Sequence, residues 1–190
     1  MGAIIGGVIG GVIGGAVALL LIIWLVVTRN RFVGVRIKIQ EAESGIDIAL
    51  TKRFDTLTKE IEAVKGAAKH EREVNVDLTQ MRAGMAQGAS MKDRAEASSA
   101  MDVAQRQINV FAENYPALRA QENFQRLQQT IKDVELQLQA ARRAYNANVT
   151  VNNRLRNNFP SNLVGAMFGY NEFEFFTAEE TRRQDVNINF

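Results

Sequence analysis

The one histidine of the chain, His70 in "KHERE", is the first place to look for chemistry. An imidazole can act as a general base or bind a metal near neutral pH. As a base it needs a nucleophile and an orienting partner, and as a ligand it needs further donors. Glu71 and Glu73 flank it, but a lone histidine on a charged helix most simply has a structural role. There is no cysteine, which excludes disulfides, thiol nucleophiles and cysteine metal sites. H-E-x-x-H, P-loop, G-x-G-x-x-G and G-x-S-x-G patterns are all missing. An enzyme is therefore not expected, and no catalytic residue, metal or cofactor is assigned.

A second polar cluster is Arg142, Arg143, Tyr145 and Asn146. Two guanidiniums, a phenol and an amide could hold a ligand. The preferred reading is structural: Tyr145 and Asn146 fix helix contacts or cap the tail, because a buried phenol or amide needs hydrogen-bond partners. Asparagine recurs at 146, 148, 152, 153, 157, 158 and 162. Asn152 falls on an apolar stripe, where one buried amide can set register.

The third pattern is made of glycine. "IIGGVIGGVIGG" (4–15) opens a run from Ala3 to Val27 with no charge. About 20 apolar residues cross a bilayer core, so the run is long enough with some tilt. It lacks the basic start and small-residue cleavage site of a signal peptide, so an uncleaved anchor is expected. Glycine weakens a helix by about 1 kcal/mol relative to alanine, so its abundance needs a reason. Gly6, Gly10 and Gly14 form one ridge, extended by Gly2, and Gly7, Gly11 and Gly15 form the next. Helices in lipid associate by close packing, and such small-xxx-small ridges permit it. The six glycines from Gly6 to Gly15 are expected to form a helix–helix contact surface between copies of the chain.

Charge supports the membrane as partner. The formal net charge is +2. Arg29, Arg31, Arg36 and Lys38 follow the apolar run with no acid before residue 41, while the remainder holds 19 basic and 21 acidic residues. A nearly balanced body is not that of a nucleic-acid binder. Positive charge after the span predicts the N-terminus outside and the body in the cytoplasm.

Beyond the anchor, apolar residues recur by threes and fours. The first stripe runs from Val35 and Ile39 through Leu50, Phe54 and Val64, and less strictly to Met81. This predicts a helix over 35–82, about 70 Å long and continuous with the anchor. "AGMAQGAS" (83–90) reads as a connection, with Ser90 as N-cap and Asp93 in the first turn of the next helix. A second stripe of about 24 residues follows, ending near Pro116, and a third runs from Leu127 to Phe159. Pro160 cannot continue it. The expected fold is all-α: an N-terminal transmembrane helix followed by an elongated antiparallel helical bundle, with three long helices and a short C-terminal segment. The expected parts are an anchor at 1–28, a bundle at 29–159 and an aromatic-rich tail at 160–190. Glu172 and Glu174 alternate with Phe173 and Phe175. That suggests an extended tail that folds back on the bundle, rather than covering a neighbouring subunit or touching the membrane.

The string "ARRAYNANVTVNNRLRNNFPSNLVGAMFGY" (141–170) resembles the LemA family. The match is carried by Arg142, Arg143, Tyr145 and Asn146, then Phe159, Pro160 and Asn162, then Phe168, Gly169 and Tyr170. "DIALTKRFDTL" (47–57), "EAVKGAAKHE" (62–71) and "YPALRAQENFQRLQ" (115–128) are similar to its other blocks. The chain departs from the family at Glu41, Ala42 and Glu43, and in "TKE", where the family carries a proline. The resemblance implies a helical bundle on one N-terminal anchor in a bacterial cytoplasmic membrane, and implies no settled activity. The functional expectation is a membrane-anchored homo-oligomeric scaffold, of many subunits, that organises or remodels the membrane or clusters membrane proteins. The alternative is a tethered monomeric or dimeric adaptor recruiting a partner protein such as a membrane protease.

Overall fold

The computed structural model describes residues 2–67, 78–86 and 88–177. Among them are six helices and no strand: α1 (Gly2–Ala67), α2 (Leu78–Ala83), α3 (Met91–Asn114), α4 (Pro116–Arg119), α5 (Glu122–Asn157) and α6 (Ser161–Met167). The protein is all-α, as the three-and-four spacing of its apolar residues implies. His70, Ala68, Val74 and the tail beyond residue 177 lie outside the described residues.

Helix α1 runs for 66 residues without a break, so the apolar run and the first stripe form one element, Gly34 included. It ends at Ala67 and does not reach residue 82. Helix α2 is separate: the Arg82 guanidinium lies 5.7 Å from the centre of the Phe54 ring, so α2 packs back beside α1. Leu78 and Met81 continue the same spacing as the first stripe, and periodicity alone cannot reveal such a reversal.

The start of α3 is fixed by a capping box. Ser90 Oγ accepts from the Asp93 N–H at 3.1 Å, and the Ser90 N–H donates to Asp93 Oδ2 at 2.8 Å. These bonds from Ser90 hold the Asp93 carboxyl below its ordinary value. Each bond satisfies a helix-end donor that would otherwise lack a partner. Just before it, Gly84 lets α2 and α3 meet. A Cβ there would lie 2.3 Å from Ala97 Cβ and 2.6 Å from the Asp93 carbonyl oxygen, closer than real atoms approach. Pro116 stands at the first position of α4, where its missing N–H costs nothing.

The described chain forms two compact units, each drawing on both α1 and α5. The first combines residues up to Ile39 with Ala147–Phe173, and the second combines Gln40–Asn146 with residues from Glu174 onward. In the second unit, Glu43 and Asp47 meet Arg94, and Arg53 meets Asp102. Helices α1 and α3 therefore run in the same direction there. Gly45 faces Ala141, and Arg53 faces Glu135, so α5 runs opposite to both. The expectation of simple alternation among the three long helices changes in this respect, because α2 adds a reversal. Ile46, Leu50, Leu57, Met101, Ile108, Val134 and Leu138 fill the core of this unit. Phe32, Ile39, Val149, Leu155 and Val164 are buried in the first. Phe159, expected on the third stripe, is 80% exposed: α5 has ended at Asn157, and the turn toward Pro160 carries the ring off the buried face.

Candidate functional site

Residues 170–177 have no regular secondary structure, so their backbone groups need partners from elsewhere. Side chains of α5 supply them. In the first unit, Asn153 Nδ2 donates to the Phe173 carbonyl at 2.9 Å, and the Phe173 N–H donates to Asn153 Oδ1 at 3.0 Å. Asn152 Nδ2 reaches the Asn171 carbonyl at 3.0 Å, and Asn157 Nδ2 reaches Glu172 Oε1 at 2.7 Å. A primary amide carries the same donor and acceptor as a peptide group, so Asn153 pairs with Phe173 as a neighbouring strand would.

The second unit repeats the device. Asn146 Nδ2 donates to the Phe176 carbonyl at 2.9 Å, and the Phe176 N–H donates to Asn146 Oδ1 at 2.8 Å. Tyr145 Oη donates to the Glu174 carbonyl at 2.9 Å. Burial, helped by the nearby Glu43 carboxylate, pushes the Tyr145 phenol up to about 12. The hydroxyl therefore keeps its proton at neutral pH and remains a donor. The Arg142 guanidinium lies 4.5 Å from the centre of the Phe176 ring, over its face, and also contacts Ser98 Oγ. Such cation–π contacts stabilise by about 0.5–2 kcal/mol. Arg143 is exposed.

Behind this clamp sits a buried charge cluster. Arg53 Nη2 donates to Asp102 Oδ1 at 2.6 Å, and Arg53 Nη1 lies 3.0 Å from Glu135 Oε2. Burial lowers the affinity of both Arg53 and Arg142 for their protons, with the Glu135 charge opposing it. Arg94 bridges Asp47 at 2.6 Å and Glu43 at 2.8 Å. Burial alone would lower its pKa, but the bonds to Asp47 and Glu43 raise it overall. Arg53 thus ties α1 to α3 and α5, and Arg94 ties α3 to α1.

The remaining motif residues gather in the first unit. Tyr170 stacks on Phe32 with ring centres 4.6 Å apart and planes 1° from parallel. Phe168 lies beside Tyr170 at 6.5 Å and under the Arg29 guanidinium at 5.3 Å. Gly169 has φ +68°, a conformation that a Cβ disfavours, and so ends α6 and turns the chain toward Phe32. Asn162 is half-buried in α6, and the Phe159–Pro160 peptide is cis.

The sequence model of the LemA family matches residues 42–190. The chain belongs to the LemA family. No curated protein matches it. The matched region contains every residue of the clamp on this LemA chain and excludes the apolar run. The family match therefore says nothing of the glycines.

Gly6 and Gly7 lie in the first turns of α1. A Cβ on Gly10, Gly11, Gly14 or Gly15 would meet nothing within 4 Å, so no neighbour among the described residues covers that face. The structure thus brings Arg142, Tyr145 and Asn146 to the tail, and Phe168 and Tyr170 to Phe32. Among the described residues it leaves Arg143, Phe159 and the anchor glycines Gly10, Gly11, Gly14 and Gly15 without a packing partner that would explain them. Sequence reasoning missed Arg53, Arg94, Asp102 and Glu135, and named Asn153 only as one of a run. Arg53 left a signal: it lies seven residues after Ile46 and four before Leu57, on the apolar stripe, where an unpaired charge could not stay.

Proposed function

We propose that this LemA chain is a non-enzymatic, membrane-anchored scaffold that self-associates through the first part of α1. The observation that carries the reading is the surface of that helix. An 18-residue stretch of α1 has mean hydropathy 2.6, and none of it is buried. Leu20, Leu21 and Ile22 are each 60% or more exposed. Surface so continuously apolar is not sustained in water. α1 is the one helix among the described residues long and apolar enough to cross a membrane. In this reading it is a single-pass anchor in a bacterial cytoplasmic membrane, with the N-terminus outside and both units in the cytoplasm. The open glycine ridges pack against copies of the same helix, which lines up the units outside the bilayer. The assembly then organises or remodels the membrane, or clusters membrane proteins. No nucleic acid and no cofactor enters it.

The test is particle mass by light scattering on gently solubilised full-length protein. It is measured beside a Gly6→Leu/Gly10→Leu/Gly14→Leu variant and a chain lacking residues 1–28. A large uniform particle that both changes reduce to monomers or dimers supports the scaffold. A full-length protein that is itself monomeric overturns it and leaves the tethered adaptor, for which the partner must then be sought.

A further inference from the structure

In the first unit, a groove of about 530 Å³ opens where the apolar run of α1 ends. Trp24, Thr28 and Arg31 line it from α1, and Arg154, Asn158 and Phe159 from the end of α5 and the following turn. No acidic residue lines it. Among the described residues, neither Arg31 nor Arg154 takes part in an ion pair. Two cations thus share one groove without a protein anion to balance them.

The surroundings identify what would balance them. Arg31 lies four residues beyond Val27, about 6 Å along the helix, where a spanning helix leaves hydrocarbon for headgroups. Trp24 is one turn before Thr28, and tryptophan favours that boundary. Phe159 is 80%, Leu163 56% and Met167 64% exposed, so apolar side chains surround the turn and α6 in the same unit. Apolar surface next to paired arginines matches the boundary between acyl chains and phosphates.

We propose that this groove binds the headgroup of an anionic phospholipid, with Arg31 and Arg154 on its phosphate. The proposal rests on the reading of α1 as a membrane anchor. A zwitterionic lipid also brings a phosphate, but its cationic group finds no acidic residue in the groove. An anionic headgroup carries no such mismatch. The groove therefore selects for charge, and the arginines give this LemA chain a lipid preference that its apolar helix alone does not supply.

Trp24 is the single tryptophan of the chain and lines the groove, so it reports occupancy directly. The full-length protein is reconstituted into phosphatidylcholine vesicles containing phosphatidylglycerol. Bromine is carried on the acyl chains of one lipid or the other at equal mole fraction. Attraction of each arginine to anionic lipid predicts that brominated phosphatidylglycerol occupies the site at least about fivefold in preference to brominated phosphatidylcholine. Arg31→Gln/Arg154→Gln should abolish the preference, while Arg36→Gln/Lys38→Gln, equal in charge but outside the groove, should retain it. Circular dichroism checks that both variants keep their helices.

Equal quenching by the two lipids overturns the groove and leaves the anchor standing. Absence of quenching by either overturns both. Loss of preference in Arg36→Gln/Lys38→Gln also overturns the groove, because general surface attraction then explains the result. Abolition of the preference by inorganic phosphate overturns it too, in favour of a soluble-anion site.

Discussion

Glu60 is fully buried in α1, and neither of its carboxyl oxygens finds a hydrogen-bond partner among the described residues. Burial pushes its carboxyl up to about 7, against a smaller opposing pull from Gln105. The unfolded chain binds that proton only below its ordinary value near 4.5. The folded state therefore holds the extra proton between those two values. Its contribution is complete below pH 4.5 and is lost as pH rises through 7. Glu60→Gln, which keeps the shape and removes the charge, should stabilise the second unit at pH 8 by about 3 kcal/mol. Urea titrations of the solubilised protein at pH 5 and pH 8 would show the parent losing stability and the variant nearly level. Equal pH dependence in both would mean that the carboxyl is hydrated. Arg53 and Glu60 were both legible as charged residues on an apolar stripe. Their fates were not, because pairing depends on which helix arrives opposite: Arg53 finds Asp102 and Glu135, and Glu60 finds no cation among the described residues.

At the scale of elements, the tail is held by peptide-like side chains rather than by an apolar face. Phe173 is half-buried and Phe175 is 44% exposed, whereas Phe176 is buried. The alternation of Glu and Phe did signal an extended segment. The asparagine run was visible too, but not the pairing of Asn146 with Phe176 or of Asn153 with Phe173. Sequence shows that amides are frequent, not which backbone they meet. Asn146 and Asn153 lie seven residues apart, two helical turns, and that spacing on one face is the trace that could have been followed. Replacing both with aspartate keeps size and acceptor but turns each donor toward a carbonyl into a repelling oxygen. Each change should cost about 1–3 kcal/mol. Limited proteolysis should then cut after residue 170 in the variant while sparing the parent. A tail equally resistant in both would show that other contacts hold it. The beginning of α3 was readable to the residue, since Ser90 and Asp93 form a local motif. The end of α1 was not, since nothing local distinguishes a helix that continues from one that reverses.

For the whole molecule, the class and the three long helices were legible because hydrophobic periodicity is a property of the chain itself. The division into two units was not, since each is assembled from two stretches far apart in the sequence. The charge asymmetry around the span makes a prediction at this scale. In spheroplasts, protease added outside should leave residues 29–177 intact, and in inverted vesicles it should degrade them. Degradation in spheroplasts would place both units on the other side and reverse the orientation. The composition of the first unit also sets a schedule. Phe32 leaves the ribosome early, but Tyr170, which stacks on it, follows 138 residues later. At about 5–20 residues per second this is a wait of roughly 7–28 s. In the anchored reading proposed above, the apolar run of α1 is already in the bilayer throughout that interval while an aromatic face beside it stays uncovered. A chain that stops short of Tyr170 lacks the ring that stacks on Phe32, so in that reading interrupted synthesis leaves a visible mark at the membrane surface that a completed molecule does not carry.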